Sequence, residues 1–95
     1  MKKLLNPRWE EGREYLRSKI LPRLHEMQRD LFGNEKIHTT IMVGRNGENV
    51  TTSVAIFAGK EIKDSIYLSL FCSDCTEYME SEYTKLTDFI KKYTA

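Results

Sequence analysis

The sequence predicts an α+β domain in which two helices flank a three-stranded antiparallel meander, in the order α-β-β-β-α. Two apolar stripes with helical spacing bracket three stretches in which apolar and polar residues alternate. The dipeptide Asn46-Gly47 separates the first two alternating stretches and favours a tight hairpin, because both residues tolerate positive φ. We expect both helices to pack on one face of the sheet, since a small sheet with one strongly apolar face needs a cover.

The first helix is predicted to begin at Asn6-Pro7, because Asn is a good N-cap and Pro loses no required hydrogen bond at the first helical position. It is predicted to end at Gly33-Asn34. Pro22 interrupts the interior, but the apolar stripe keeps its phase past it, which favours a kinked, continuous helix. The stripe consists of Trp9, Leu16, Ile20, Leu24, Met27 and Leu31.

The three strands are predicted over residues 36–44, 50–58 and 66–72, with residues 59–65 as the second turn. If Asn46 and Gly47 are the two loop residues, the register of the first hairpin follows by counting outward. One face of the hairpin is then rich in Val and Ile. The predicted pairs are Val43 with Val50, Ile41 with Thr52, Thr39 with Val54 and Ile37 with Ile56.

The second helix is predicted to begin with a capping box formed by Asp74 and Glu77. Arg13 falls inside the apolar stripe of the first helix, and Glu82 lies at the margin of the stripe of the second. The two side chains either pair where the helices meet, or Arg13 extends to water. The second stripe consists of Cys75, Met79, Leu86, Ile90 and Tyr93.

Length and composition indicate a single domain spanning residues 1–95. The net charge of +1, from 15 Lys and Arg against 14 Asp and Glu, argues against a dedicated nucleic-acid binder. The first 32 residues are basic and residues 73–95 acidic, which favours two helices of complementary charge. No apolar run is long enough to span a membrane, and Asn6-Pro7-Arg8 cuts short the apolar N-terminus, so we expect a cytoplasmic protein with reduced cysteines.

Cys72 and Cys75 form a Cys-x-x-Cys motif where the third strand leads into a helix, a position that lowers the pKa of a thiol. Redox motifs of this kind belong to a βαβ setting, and Asp74 between the cysteines opposes thiolate formation. We therefore expect two small buried hydrophobic residues, with a thiol-redox protein as an alternative. His25 and His38 do not have the spacing of a metal-ligand pair, and no metal or other cofactor is predicted.

The second face of the predicted sheet carries hydroxyl, Met and aromatic side chains with almost no charge. An exposed antiparallel face is normally polar, whereas aromatic and Met enrichment with charge depletion is typical of an interface core. Good strand formers on a wet surface would give a similar composition. We predict a small non-enzymatic regulatory or adaptor protein that forms a homodimer, or binds another protein, through His38, Thr40, Met42, Ser53, Phe57, Tyr67, Ser69 and Phe71.

The main alternative is a nucleic-acid-binding protein in which cationic side chains of the first helix contact phosphates. The order α-β-β-β-α resembles that of double-stranded RNA-binding domains. Those domains have a Lys-rich start to the second helix and a histidine in the first loop, whereas residues 73–77 here are acidic and loop 44–49 has no histidine. The alternative site consists of Lys2, Lys3, Arg8, Arg17, Lys19 and Arg23.

Overall fold

The computed structural model describes residues 7–34, 37–47 and 49–94, in the predicted order α-β-β-β-α. The N-terminal helical run has three parts: α1 (Pro7–Tyr15), a π turn (Leu16–Ile20) and α2 (Leu21–Leu31). The strands form one sheet in the order β1-β2-β3. They are β1 (His38–Asn46), β2 (Asn49–Ala58) and β3 (Glu61–Phe71), and α3 (Thr76–Thr94) follows them. The predicted cap Asn6 lies outside the described residues.

Pro22 is accommodated by the π turn, and the helical run continues past it as predicted. Because Pro22 has no backbone N–H, it cannot donate to the carbonyl four residues earlier. Within the π turn, the N–H of Leu21 donates to the carbonyl of Leu16, which is five residues earlier rather than the four of a regular α-helix. The Arg23 Nε donates to the carbonyl of Lys19 over 2.7 Å, so a side chain satisfies a backbone group of the irregular turn.

The first hairpin has the predicted turn region, but the predicted register is wrong by two residues. Asn46 pairs with Asn49, so the two-residue loop lies between them and begins at Gly47. Gly47 has a φ of +63°, which such a tight loop requires. Val43 accordingly faces Thr52. Because two residues are one full side-chain period, the predicted division of side chains between the two faces is unchanged.

The third strand begins five residues earlier than predicted, because residues 59–65 are not a long turn. Ala58 pairs with Glu61 across a two-residue loop. Gly59 is the first residue of that loop and has a φ of +67°. Both hairpins are therefore tight, and the charged segment that follows Gly59 belongs to an edge strand.

A β-bulge near the start of β3 determines the faces of the sheet on which Ile62 and Asp64 lie. Ile56 pairs with Asp64, but the next residue, Phe57, pairs with Ile62, so Lys63 is an extra residue in β3. Ile62 consequently lies on the same face as Phe57, opposite the core. Asp64 lies on the face of Ile56, which is buried.

The predicted capping box at the start of α3 is wrong. The Asp74 carboxylate accepts a hydrogen bond of 2.8 Å from the N–H of Phe71, so it binds backwards in the chain rather than to the N–H of Glu77. The N–H of Asp74 donates in return to the Phe71 carbonyl over 2.9 Å. The Cys75 carbonyl accepts from the N–H of Met79, so Cys75 occupies the N-cap position.

One hydrophobic core joins the apolar sides of the helices to the inner face of the sheet, the face that carries Val50, Val54 and Leu70. Leu24 and Leu86, from the two predicted helical stripes, are fully buried in it. The buried members of the core are Leu16, Ile20, Leu24, Leu31, Val50, Val54, Ile56, Leu68, Leu70, Cys72, Met79, Leu86, Phe89 and Ile90.

The N-terminal helical run approaches the residue after β3 so closely that glycine is required at one point. A Cβ atom on Gly12 would lie 1.9 Å from the carbonyl oxygen of Cys72, far inside van der Waals contact. A glycine in a helix interior costs about 1 kcal/mol relative to alanine. Glycine at position 12 therefore lowers the helix propensity, but it permits close contact between the helix and the residue after β3.

Candidate functional site

The candidate site is the face of the sheet opposite the hydrophobic core, which we call the outer face. Strand alternation and the observed register assign its residues. None of the residues that the structure describes on this face is Asp, Glu, Lys or Arg, although these types make up 31% of the sequence. The outer face consists of His38, Thr40, Met42, Gly44, Asn49, Thr51, Ser53, Ala55, Phe57, Ile62, Ser65, Tyr67, Ser69 and Phe71.

Large apolar side chains of the outer face are exposed to solvent. Met42 is 64% exposed, Ile62 61%, Tyr67 66% and Phe71 45%. Single exposed apolar residues are normal on a protein surface, whereas here several lie together on one face and form an apolar patch. The outer face thus combines the exposure of a surface with the composition of an interface core.

The register arranges these residues in rows that cross the three strands. Rows with large side chains alternate with rows of small ones. Successive rows are two residues apart along each strand, except at the β-bulge, where Ile62 and Ser65 are three positions apart. The large rows are His38, Phe57 and Ile62; then Met42, Ser53 and Tyr67; then Asn49 and Phe71. The small rows between them are Thr40, Ala55 and Ser65, and Gly44, Thr51 and Ser69.

All eight residues predicted for an interface lie on the outer face, and their role there stays a prediction. The His38 and Phe57 rings lie beside each other, with centroids 5.6 Å apart and planes tilted by 39°. The sequence reading missed Ile62, because the charged neighbours of that residue resemble a turn. Five of the eight are exposed, His38, Thr40, Met42, Tyr67 and Phe71, and three are partly buried, Ser53, Phe57 and Ser69.

A second group of polar side chains lies between the N-terminal helical run and α3. Arg23 donates two hydrogen bonds to the Glu80 carboxylate, one of 3.1 Å from Nη1 and one from Nη2. The Tyr15 hydroxyl donates to the same carboxylate. The Arg23 guanidinium also lies 4.4 Å from the centre of the Tyr83 ring, a cation–π contact. The group ties the two helical elements together.

These contacts shift the pKa values of the group. Hydrogen bonds from Arg23 and Tyr15 stabilise the charged Glu80 carboxylate and lower its pKa. The hydrogen bond from the Tyr15 hydroxyl to the Glu80 carboxylate raises the pKa of Tyr15, because it stabilises the protonated hydroxyl. Burial raises the pKa of Tyr83. An ionised Glu80 and a protonated Tyr15 therefore hold the helices together at neutral pH.

Among the described residues, an interhelical ion pair thus joins Arg23 and Glu80, whereas the sequence suggested either Arg13 with Glu82 or an Arg13 that extends to water. Glu82 binds Lys85 on its own helix, with 2.8 Å between Oε2 and Nζ. The π turn between residues 13 and 23 adds rotation that an α-helical wheel does not include.

The basic residues predicted for the nucleic-acid alternative are only partly available for phosphates. Arg17 binds Glu14 at 2.7 Å, and Arg23 is held by Glu80 and Tyr83. Lys19 is exposed. Lys2 and Lys3, together with the side chain of Arg8, lie outside the described residues.

The two cysteines differ in exposure, and no disulfide joins them. Cys72 is buried as predicted, with 2% of its surface exposed. The prediction that Cys75 is buried is wrong, because this residue is the exposed N-cap of α3 rather than the first member of its apolar stripe. The two thiols thus occupy different environments within one short segment.

Comparison with known proteins gives no family assignment: no family model matches, and neither curated proteins nor solved structures give a significant match. Within residues 7–34, 37–47 and 49–94, no three His, Cys, Asp or Glu side chains cluster as a metal site would require. No helix of the same residues combines the length and apolarity needed to cross a membrane. The function must therefore be argued from the surfaces of the molecule itself.

Proposed function

We propose that this protein works by association rather than by catalysis, as a homodimer in which the outer faces of two sheets pack together. The observation that carries the proposal is the uncharged outer face with four exposed large apolar side chains, Met42, Ile62, Tyr67 and Phe71. Removing such a patch from water is favourable, and it desolvates no charged side chain of the described face. A regulatory or adaptor role would follow from the dimer.

The rows of the outer face suit a second copy of the same face. In a two-fold interface the same surface contributes from both copies, so it must be complementary to itself. A large row from one copy, such as that of Met42 and Tyr67, fits over a small row of the other, such as that of Thr40, Ala55 and Ser65. Interdigitation of this kind is how two sheets pack face to face.

The size of the face limits the affinity. Three strands about 4.8 Å apart and roughly 30 Å long give a flat area of about 400 Å² per copy. Stable complexes bury about 800 Å² per partner, so this face is about half that size and belongs with weak, transient complexes. We expect dissociation in the micromolar range, which makes assembly sensitive to protein concentration.

Nucleic-acid binding by the N-terminal helical run is the second candidate. Its support is the basic composition of residues 1–32. Against it, phosphate binding by Arg17 or Arg23 would have to compete with the ion pairs to Glu14 and Glu80. A mobility-shift titration at two salt concentrations distinguishes the candidates, because phosphate-dependent binding weakens steeply as salt increases. Absence of binding at low salt eliminates this candidate.

Sedimentation equilibrium of the parent protein and of Tyr67→Glu tests the homodimer. A charge in the middle row of a small apolar interface, present in both copies, should weaken association at least about 100-fold. The matched control is Tyr78→Glu, which places the same change on an aromatic residue of α3 that is 46% exposed. The proposal expects a dimer for the parent and the control and a monomer for Tyr67→Glu. A monomeric parent, or a dimeric Tyr67→Glu, contradicts it.

A further inference from the structure

We propose that His38 makes association through the outer face sensitive to pH, so that protonation of its imidazole separates the two copies. The inference concerns the regulation of the proposed homodimer and therefore rests on it. Histidine is the only side chain whose ordinary pKa, about 6.5, places its change of charge between pH 5 and 8. Among the described residues of the outer face, His38 is the one histidine, because the other histidine of the chain, His25, lies on α2. A small fall in pH below neutrality therefore adds charge to a face whose other described side chains remain uncharged.

The surroundings of the His38 ring suit its neutral form. The side chain is exposed at the start of β1, and its ring lies beside that of Phe57, with 5.6 Å between the centroids. Within the part of the chain that the structure describes, the imidazole has no hydrogen bond and no ion pair. Tyr67 is the other ionisable residue of the described outer face, and phenols are neutral in this pH range. Water is thus what stabilises an imidazolium at this position in the free monomer.

The charged groups of the two neighbouring strands face away from His38. β2 contains no Asp, Glu, Lys or Arg. In β3, the Asp64 carboxylate accepts a hydrogen bond from the Tyr93 hydroxyl, and the Lys63 ammonium lies 5.6 Å from the centre of the same ring, on the core side. Glu61 is the chain neighbour of an outer-face residue, so alternation directs it to the opposite face. Neither acid of this strand is placed to balance a charge on the outer face.

The remaining charges near β1 offer no described counter-ion either. Arg45 lies at the far end of the strand, about 23 Å along it from His38. Lys60, in the loop between β2 and β3, is a cation and would oppose protonation rather than balance it. Glu35 and Lys36, just before β1, lie outside the described residues and together have no net charge.

Two-fold symmetry determines which row of the second copy packs over His38. If the row of Met42 in one copy packs over the row of Thr40 in the other, the strands of the two copies run in opposite directions. The next row beyond Met42, that of Gly44, then packs over the next row beyond Thr40, that of His38. The row of Gly44 contains a glycine and two hydroxyl residues, so it leaves room for an imidazole but offers no carboxylate. An imidazolium there would lose its water without gaining an opposite charge, which is unfavourable.

The size of the effect follows from the two histidines that a dimer buries. If both imidazoles must be neutral in the dimer, each dissociation frees two sites that can bind a proton. For ordinary histidines, with a pKa of about 6.5 in the monomer, Kd then rises about 100-fold between pH 7.5 and pH 5.5. Carboxylates that hold the fold do not contribute, because hydrogen bonds from Arg23 and from Tyr93 lower the pKa of Glu80 and of Asp64, respectively, and keep both ionised at pH 5.5.

Sedimentation equilibrium of the full chain at pH 7.5 and pH 5.5, at one ionic strength, tests the inference. The Kd of the parent should rise about 100-fold at pH 5.5. His38→Gln replaces the imidazole with a neutral polar side chain, so its Kd should differ by less than about threefold between the two pH values. The matched control is His25→Gln, which changes the other histidine at an exposed position of α2 and should keep the full response of the parent.

A second measurement uses the parent protein alone and does not require a variant to dimerise. The ring protons of both histidines are followed by ¹H–¹³C NMR between pH 5 and pH 8, at protein concentrations below and above Kd. The titration midpoint of His38 should move to lower pH by at least about one unit in the dimer, because association favours the neutral ring. The midpoint of His25 should not depend on concentration.

The outcomes separate this inference from the homodimer on which it rests. A monomer at both pH values would overturn the homodimer and, with it, this inference. A parent dimer whose Kd changes by less than about threefold would overturn this inference alone. So would a full pH response in His38→Gln, the loss of that response in His25→Gln, or a His38 midpoint that does not depend on concentration.

Discussion

Replacing Thr52 with Val is expected to stabilise the protein, because the Thr52 hydroxyl is buried in the core. Thr52 is 1% exposed and lies between Val43 of β1 and Leu68 of β3. Its Oγ1 has no hydrogen-bond partner among the described residues. A buried polar group without a partner costs about 1–3 kcal/mol, and Val has nearly the same shape. We expect the free energy of unfolding to increase by about 1–2 kcal/mol, and Tm to rise by about 4–8 °C per kcal/mol.

Urea denaturation followed by circular dichroism measures this change, at one fixed protein concentration because a dimer gains stability with concentration. Thr39→Val is the matched control, since the Thr39 hydroxyl donates to the Ala55 carbonyl over 2.7 Å. The control should lose about 0.5–1.5 kcal/mol. A loss of stability for Thr52→Val as well would show that its hydroxyl is satisfied, and would refute the reasoning.

Three other properties follow from the packing and the charges. Gly12→Ala should lower the free energy of unfolding by about 1–3 kcal/mol in urea denaturation, because its Cβ would overlap the Cys72 carbonyl. The lowered pKa of Glu80 means that its stabilising effect is complete above the ordinary value of 4.5 and is lost as the pH falls towards the lowered pKa. Glu80→Gln should therefore cost about 0.5–1 kcal/mol at neutral pH and flatten the acid-side loss of Tm. Cys75 should react with a maleimide roughly tenfold faster than Cys72 in the native protein, as peptide mass spectrometry would show.

Each of these predictions has a control or an outcome that would contradict it. The control for Gly12→Ala is Ser81→Ala at an exposed position of α3, which should change stability by less than about 0.5 kcal/mol. If Gly12→Ala matches this control, the helix and the end of β3 are not in close contact. Parallel pH profiles for the parent and Glu80→Gln would remove the role assigned to the Arg23 ion pair. Rapid native labelling of Cys72 would contradict its burial.

The faces of the sheet could be predicted from the sequence more reliably than its register. Alternation assigns Val43 and Thr52 to the core side whichever of the two registers forms. The register depends on which two residues form the loop, and Asn46-Gly47 is the favoured pair in general. The structure instead pairs Asn46 with Asn49. Packing of the whole sheet on the helices decides between such alternative registers. The sequence of the loop alone carries no information about that packing.

Several features that the sequence did not predict depend on contacts between one element and another. The charged start of β3, around Lys63, resembles a turn until its pairing with β2 is known. The requirement for Gly12 exists only because the Cys72 carbonyl lies beside it. Arg13 and Arg45 line the same cavity, although more than 30 positions of sequence separate them. Helical and strand periodicity describe each element alone. They therefore identify which face of an element lies in the core, but not the contacts between particular residues of different elements.

The most direct test of the central claim is to detect contacts between the outer faces of two copies. A sample that mixes ¹³C-labelled and unlabelled protein, above the dissociation constant, gives nuclear Overhauser effects between copies only. The homodimer predicts such effects from the Met42 methyl group to outer-face residues of the other copy, including the small row of Thr40 and Ala55. Intermolecular effects confined to the helices, or none from Met42 in a sample shown to be dimeric, would contradict association through the outer face.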